Sequence, residues 1–162
     1  MEKTGHFNIK KRIRKTNAVM GGEMSGHIFI NHDWYGFDDA IFSAVILTKI
    51  ITDLDVSISE LVNKIPLTHS TPELNLDVKD EEKFNMVEKF KSEMEFPNAD
   101  INTIDGVRIS IDNSWALMRA SNTSPKLVLR FEGDTEDNLN QIKNLFENNF
   151  LKIFPDIKLD YH

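Results

Sequence analysis

The glycine-flanked segment at residues 21–27 carries three side chains whose chemistry suits a polyol. Glu23, Ser25 and His27 alternate along the chain, so in extended backbone they project to the same side. A carboxylate accepts hydroxyl hydrogens, and a serine hydroxyl donates or accepts. The segment therefore predicts a polyol-binding loop, although a polar hairpin turn explains the same residues without a ligand. We expect no serine nucleophile, because the Gly-x-Ser-x-Gly context is missing and no third group is placed to orient His27.

A second polar segment, residues 119–125, has the composition of a phosphate-binding loop. Arg119 supplies a forked cation, and the short donors that follow it are Ser121, Asn122 and Thr123. A phosphate is bound by such a fork together with several short donors and inward-turned backbone N–H groups. Arg130, on the next predicted strand, would add a second cation. The alternative is a hairpin loop that is merely rich in turn-forming residues.

The first third of the chain predicts two helices with little sheet to cover them. We expect helices over residues 6–16 and 38–52, and short strands near 18–20 and 27–31. Apolar residues recur at helical spacing in the second helix, which gives it a strongly apolar face. Two short strands cannot cover two helices, so this segment is expected to continue a larger domain or to dock on another chain.

The remainder predicts an α+β domain, an antiparallel sheet with packed helices. Residues 54–69 are expected to be a linker with one short helix, and residues 70–162 the domain itself. We expect a helix over residues 81–94 capped by Asp80 and a final helix capped by Thr135. The predicted strands lie at residues 74–78, 101–104, 107–111, 115–119 and 126–132, with Asp105-Gly106 as a hairpin turn.

Composition limits the classes of function. The 162 residues include no cysteine and carry a formal net charge of −7, which excludes disulfides, thiolate nucleophiles and cysteine-based zinc sites. No apolar run is long enough to span a membrane and the N-terminus does not resemble a signal peptide, so we expect a soluble, cytoplasmic protein. Residues 1–20 carry six bases and one acid. We interpret them as a solvated helix face and expect no nucleic-acid binding, since the rest of the chain is acidic.

Taken together, the loops resemble the C-terminal portion of the alpha-D-phosphohexomutases, specifically the bacterial phosphomannomutase/phosphoglucomutase group. The resemblance runs almost end to end, in the order and near the spacing of that family. Its motifs are Lys3-Thr4-Gly5-His6, Gly22-Glu23-Met24-Ser25-Gly26-His27, Trp34-Tyr35-Gly36-Phe37-Asp38-Asp39, Ser70-Thr71-Pro72-Glu73, Asp105-Gly106-Val107-Arg108, Arg119-Ala120-Ser121-Asn122-Thr123 and Leu127-Val128-Leu129-Arg130-Phe131-Glu132.

The resemblance implies a domain organisation and a role for each loop. Enzymes of the family have four domains around a cleft; residues 1–53 would be the last part of the third, and residues 70–162 the whole fourth, with a TATA-box-binding-protein-like fold. Glu23 and Ser25 would hold sugar hydroxyls with His27 beside them. His6 matches an active-site histidine that contacts ligand or assists proton transfer. The phosphate that is not transferred would be held by Arg119, Ser121, Asn122 and Thr123.

Two motifs on which the chemistry of this family depends do not occur in this sequence. They are the Ser-His-Asn-Pro-type loop that carries a phosphoserine and the Asp-Gly-Asp-x-Asp-type loop that holds magnesium. The resemblance thus implies a chain that binds hexose phosphates but is inactive alone and has no metal site of its own, with magnesium needed only by the complete enzyme. Its expected partners are the missing N-terminal domains or a second chain, and a homodimer is open. The alternative is a non-catalytic phosphosugar-binding or self-associating module.

Overall fold

Five helices and eight strands form within residues 1–161, the part of the chain that the computed structural model describes. They fall into two compact units, Met1–Pro66 and a second that begins at Leu67. The elements of the first unit are α1 (His6–Thr16), β1 (Met20–Gly22), β2 (Ile28–Ile30), α2 (Ala40–Leu54) and α3 (Ile58–Val62). Those of the second unit are β3 (His69–Ser70), β4 (Leu74–Asp77), α4 (Lys83–Glu93), β5 (Asp100–Asn102), β6 (Val107–Ile111), β7 (Ser114–Ala120), β8 (Lys126–Gly133) and α5 (Glu136–Ile153).

The first unit is built around a small antiparallel hairpin. β1 pairs with β2, with Gly21 opposite Phe29, and Phe29 is fully buried. A methyl group at Gly21 would lie only 3.0 Å from Ile9 and 3.1 Å from Ile13 of α1, so the missing side chain lets the helix pack directly on the strand. The predicted strand near residues 18–20 was placed too early, because pairing extends into the two glycines.

Helix α2 confirms that two short strands cannot cover the apolar surface of this unit. Its start is well defined, since the Asp39 side chain accepts a hydrogen bond from the N–H of Phe42 at 2.9 Å. None of its residues is buried. Ile41 is 81% exposed and Val45 is 57% exposed. In this chain the apolar face of α2 therefore remains open to solvent.

The predicted linker is partly regular structure. Ser57 caps α3, and Glu60 completes the capping box by accepting the Ser57 N–H at 2.7 Å. That hydrogen bond lowers the pKa of the Glu60 carboxyl. His69, the last residue assigned to the linker, opens β3.

The second unit is the predicted α+β domain. Its six strands are all antiparallel, in the order β3-β8-β7-β6-β5, and β4 also pairs with β8. Helices α4 and α5 contribute to one hydrophobic core with the sheet. Within that core Phe146 is fully buried, with ring centroids 5.0 Å from Phe90 and 5.3 Å from Phe131. Sheet and both helices thus meet at one aromatic cluster.

The cap assigned to Asp80 was wrong. Helix α4 begins at Lys83, and its N-cap residue Glu82 makes no side-chain capping bond. Asp80 instead accepts a hydrogen bond from the Lys83 ammonium at 2.7 Å. Lys83 is 4% exposed, and a buried ammonium needs a charged or polar partner. The Asp80 carboxylate therefore pairs with the lysine and does not cap the helix. By contrast, Thr135 caps α5 as predicted, accepting the Asn138 N–H at 3.1 Å.

Replacing Phe146 with alanine should destabilise the second unit strongly. The cavity left beside the Phe90 and Phe131 rings should lower the free energy of unfolding by about 3–5 kcal/mol. The matched control is Leu145→Ala, on the same helix at a side chain that is 39% exposed, which should cost about 1 kcal/mol or less. Urea unfolding followed by circular dichroism measures both, and equal losses would contradict the assigned core.

Candidate functional site

The first candidate loop is a tight turn. The Glu23 N–H donates to the His27 carbonyl and the Gly26 N–H donates to the Glu23 carbonyl, each at 3.0 Å. Gly26 has a left-handed φ of +89°, which glycine adopts without strain. The extended backbone assumed for the alternating residues was therefore wrong. The turn instead places Glu23 and His27 at its two ends and leaves Ser25 exposed between them.

His6 joins these two residues from the start of α1. One donor atom each from His6, Glu23 and His27 lie within 4.8 Å of one another. The two imidazole rings meet edge to face, with centroids 4.7 Å apart. We call these three residues the His–Glu cluster. Two motifs that lie apart in the sequence thus converge on one polar site.

Glu23 is anchored by the backbone of α1. Its Oε1 accepts a hydrogen bond from the N–H of Gly5 at 2.7 Å, and Gly5 is the N-cap residue of that helix. An anion is favoured at this position because the first N–H groups of a helix carry partial positive charge. Since a carboxylate has two oxygens, Glu23 can hold the helix and still accept a ligand hydroxyl.

Asp38 orients His27, which corrects the expectation that no third group does so. Its Oδ2 lies 2.7 Å from His27 Nδ1 and 3.6 Å from His6 Nε2. The other oxygen accepts the Ile28 N–H at 3.2 Å, and a backbone bridge joins Phe29 to Asp38. Asp38 and Asp39 are adjacent in one of the family motifs, but only Asp39 caps α2. Nothing in local spacing connects Asp38 with His27.

The second candidate loop, residues 119–125, comprises the end of β7 and the turn into β8, and it is shaped by Ser121. This residue is only 6% exposed. Its hydroxyl oxygen accepts the N–H of Ser124 at 3.2 Å and, more weakly, that of Thr123 at 3.4 Å. Its own N–H donates to the Lys126 carbonyl at 3.0 Å. The amides expected to face an anion are thus turned toward Ser121.

The outward-facing groups of this loop are side chains. Asn122 and Thr123 are exposed, and Arg119 is half-buried opposite Val128 on β8. Arg130 lies on β8 with a guanidinium nitrogen 3.9 Å from a carboxylate oxygen of Glu132. Arg130, which the sequence suggested as a second cation for the phosphate, therefore has an acidic neighbour that offsets part of its charge.

Lys83 is a residue that motif analysis missed. Its ammonium donates to the carbonyl of Ser124 at 3.1 Å as well as to Asp80, so it ties α4 to the second loop. The same carbonyl accepts the Lys126 N–H at 2.9 Å. Helical spacing offered a signal, because Lys83 shares its buried face with Val87 and Phe90.

Comparisons with known proteins agree with both units. Residues 1–68 match the family model for the phosphoglucomutase/phosphomannomutase alpha/beta/alpha domain III, and residues 73–148 match the model for the C-terminal domain of the same proteins. The chain belongs to the phosphoglucomutase/phosphomannomutase family. The family resemblance drawn from the motifs is thereby confirmed.

Relatives from several bacteria are similar over nearly the whole chain. A phosphomannomutase/phosphoglucomutase of Pseudomonas putida is 45% identical over 99% of this chain and 35% of its own length. A phosphoglucomutase of Neisseria meningitidis serogroup A is 44% identical over 91% of this chain and 32% of its own. The chain therefore spans about a third of the length of these relatives.

A solved structure confirms the fold class. A phosphoglucomutase/phosphomannomutase family protein from Burkholderia thailandensis superposes with a TM-score of 0.89 at 36% identity, covering 98% of this chain and 33% of the other. Within residues 1–161, no helix combines the length and hydrophobicity needed to cross a membrane. A cytoplasmic location stays a prediction.

Replacing Lys83 with methionine should loosen the second loop more than it destabilises the unit. The apolar side chain can fill a similar volume, and exposed Asp80 returns to water, so stability should change by less than about 1 kcal/mol. The Ser124 carbonyl loses a donor, and hydrogen exchange of the Lys126 amide should accelerate. Lys79→Met, at an exposed ion pair with Glu82, is the control. Unchanged exchange in the Lys83 variant would exclude this positioning role.

Proposed function

We propose that this chain is the C-terminal portion of a phosphomannomutase/phosphoglucomutase. In that enzyme it binds the sugar hydroxyls and the non-transferred phosphate of hexose phosphates during interconversion of the 1-phosphate and the 6-phosphate. The observation that carries the proposal is the His–Glu cluster: a carboxylate anchored to a helix start and two imidazoles, one oriented by Asp38. These groups accept and donate hydrogen bonds in the way that ring hydroxyls require. Ser25, exposed at the turn, adds a further hydroxyl.

The phosphate is assigned to the second loop. Arg119 provides a charged fork, and Asn122 and Thr123 provide short exposed donors beside it. Each hydrogen bond to a charged oxygen is worth roughly 1.5–3 kcal/mol. Buried Ser121 contributes by holding the turn, and Lys83 by fixing the Ser124 carbonyl. The loop is therefore preorganised, which lowers the entropic cost of binding an anion.

Transfer itself belongs to the part of the enzyme that this chain does not span. Phosphoryl transfer depends on positioning and on neutralising charge, and the sequence contains neither the phosphoserine-type loop nor the magnesium-type loop. The His–Glu cluster is a poor fit for magnesium, because Mg²⁺ prefers oxygen ligands and two of the three donors are imidazoles. Magnesium, where the complete enzyme uses it, is held outside this chain.

Glucose 1-phosphate should bind weakly and through Arg119. With only part of the ligand's contacts available, we expect a Kd no better than millimolar, roughly −4 kcal/mol. In an NMR titration the largest amide shifts should fall at residues 119–123, and Arg119→Ala should abolish them. Lys152→Ala, at an exposed pair with Glu95, should leave the titration unchanged. A flat response at these amides would refute the phosphate assignment, and mutase turnover by the purified chain would refute its inactivity alone.

The open face of α2 favours a structural partner. The relatives are about three times as long as this chain, and residues 1–68 match the model of an alpha/beta/alpha domain III. We propose that the portion preceding this region in the family covers the apolar groove lined by Ala40, Ile41, Ala44 and Val45.

Association with that preceding portion should depend on α2. When the corresponding N-terminal segment of the Pseudomonas putida relative is added as a separate chain, calorimetry should detect binding that Ile41→Asp abolishes. Leu67→Asp, at a side chain that is 91% exposed outside α2, should bind normally. Sedimentation of the chain alone provides the alternative outcome: a stable dimer that Ile41→Asp dissociates would favour the self-associating module.

A further inference from the structure

We propose that the His–Glu cluster is also a binding site for a borderline-soft divalent cation of the zinc type. Among residues 1–161, His6, Glu23 and His27 are the group whose imidazole and carboxylate donors come within 4.8 Å of one another. Binding of sugar hydroxyls does not require two imidazoles to meet edge to face. That convergence of nitrogen donors is what a transition-metal site needs.

The donor set distinguishes this cation from magnesium. Two imidazole nitrogens and one carboxylate form the three-protein-ligand set typical of zinc sites that keep a fourth position open. Imidazole suits Zn²⁺, Cu²⁺ and Ni²⁺, whereas Mg²⁺ and Ca²⁺ take oxygen ligands. Glu23 brings one negative charge and Asp38, beside both imidazoles, brings a second, so the site can neutralise a divalent cation.

The residues around the ligands are arranged as outer-shell partners. Asp38 engages His27 Nδ1 at 2.7 Å, which leaves Nε2 as the lone-pair nitrogen of a neutral ring. A carboxylate in this position fixes the tautomer and raises the basicity of a metal-bound imidazole. The Gly5 N–H orients Glu23 in the same way. Both oriented ligands are thus held before any cation arrives.

Only small movements are needed to close the site. Tetrahedral ligands about 2.0–2.1 Å from zinc lie roughly 3.3–3.4 Å apart, against the observed upper limit of 4.8 Å. The side chain of His6 is 47% exposed, so its ring can shift toward Glu23 and His27 while these two stay oriented. The same exposure provides an entry path for the ion.

Tag-free chain should bind one Zn²⁺ in equilibrium dialysis and show visible d–d absorption when loaded with Co²⁺. His27→Ala and Glu23→Gln should each weaken binding at least tenfold, and Asp38→Ala by 10- to 100-fold. His32→Ala, at an exposed histidine beside Asp33, should bind as the parent chain does. Millimolar Mg²⁺ should not displace the ion. Equal affinity in the His27 and His32 variants, or no binding at millimolar Zn²⁺, would overturn the proposal.

A second measurement uses the unaltered chain. Paramagnetic Co²⁺ should broaden the amide signals of residues 5–6 and 23–27 at substoichiometric concentration, and broadening centred on His32 or His69 would overturn the site. Zn²⁺ should also raise the apparent Kd for glucose 1-phosphate, a result that rests on the proposed function. Zinc binding without any sugar or phosphate binding would refute the proposed function alone. Sugar or phosphate binding without zinc binding would refute the cation site alone.

Discussion

The pairing of β8 on both of its edges is the constraint on which the second unit depends. β7 occupies one edge along seven residue pairs, and β3 and β4 share the other. With no free backbone edge, β8 can carry Leu127, Leu129 and Phe131 fully buried. The same pairing fixes where β7 must turn, so the loop that begins after Ala120 is held at both ends. A rigid sheet and an exposed polar loop are consequences of one hydrogen-bond register.

The first unit also needs strands to cover its apolar helix faces, but its sheet is too small to do so. Its hairpin buries Phe29 and seats α1 against Gly21, but no further strand exists within residues 1–66 to cover α2. Exposed Ile41 and Val45 are costly in water. Their exposure and the match to about a third of longer relatives both support our proposal that the preceding portion of these proteins covers this face. The His–Glu cluster is nevertheless positioned by contacts within this unit, because the hairpin, the start of α1 and Asp38 hold its side chains.

Both candidate loops depend on buried or half-buried groups that contact no ligand in our proposals. Asp38 orients His27, Gly5 anchors Glu23, Ser121 gathers two loop amides and Lys83 holds the Ser124 carbonyl. Such contacts matter for weakly bound polar ligands, since each group that is already ordered lowers the cost of binding. Ser121 is typical of phosphate-binding loops, yet it is buried beneath its own loop. This position follows from its role, which is to hold the loop backbone and not to contact the ligand.

Local pattern alone determined most of the elements, their order and the family. Helical spacing predicted α1, α2 and α5, and the pattern of the second unit predicted all of its strands except β3, which begins in the predicted linker. Motif order predicted the match to phosphoglucomutase/phosphomannomutase proteins. These are short-range properties, which neighbouring residues encode. Tertiary structure decided the partners: that Asp38 binds His27, that His6 joins Glu23, and that Asp80 serves buried Lys83 instead of capping α4. A carboxylate can pair with several groups in its own segment. Which partner it takes depends on the burial and charge of groups that are distant in sequence, and only folding brings those groups close to it.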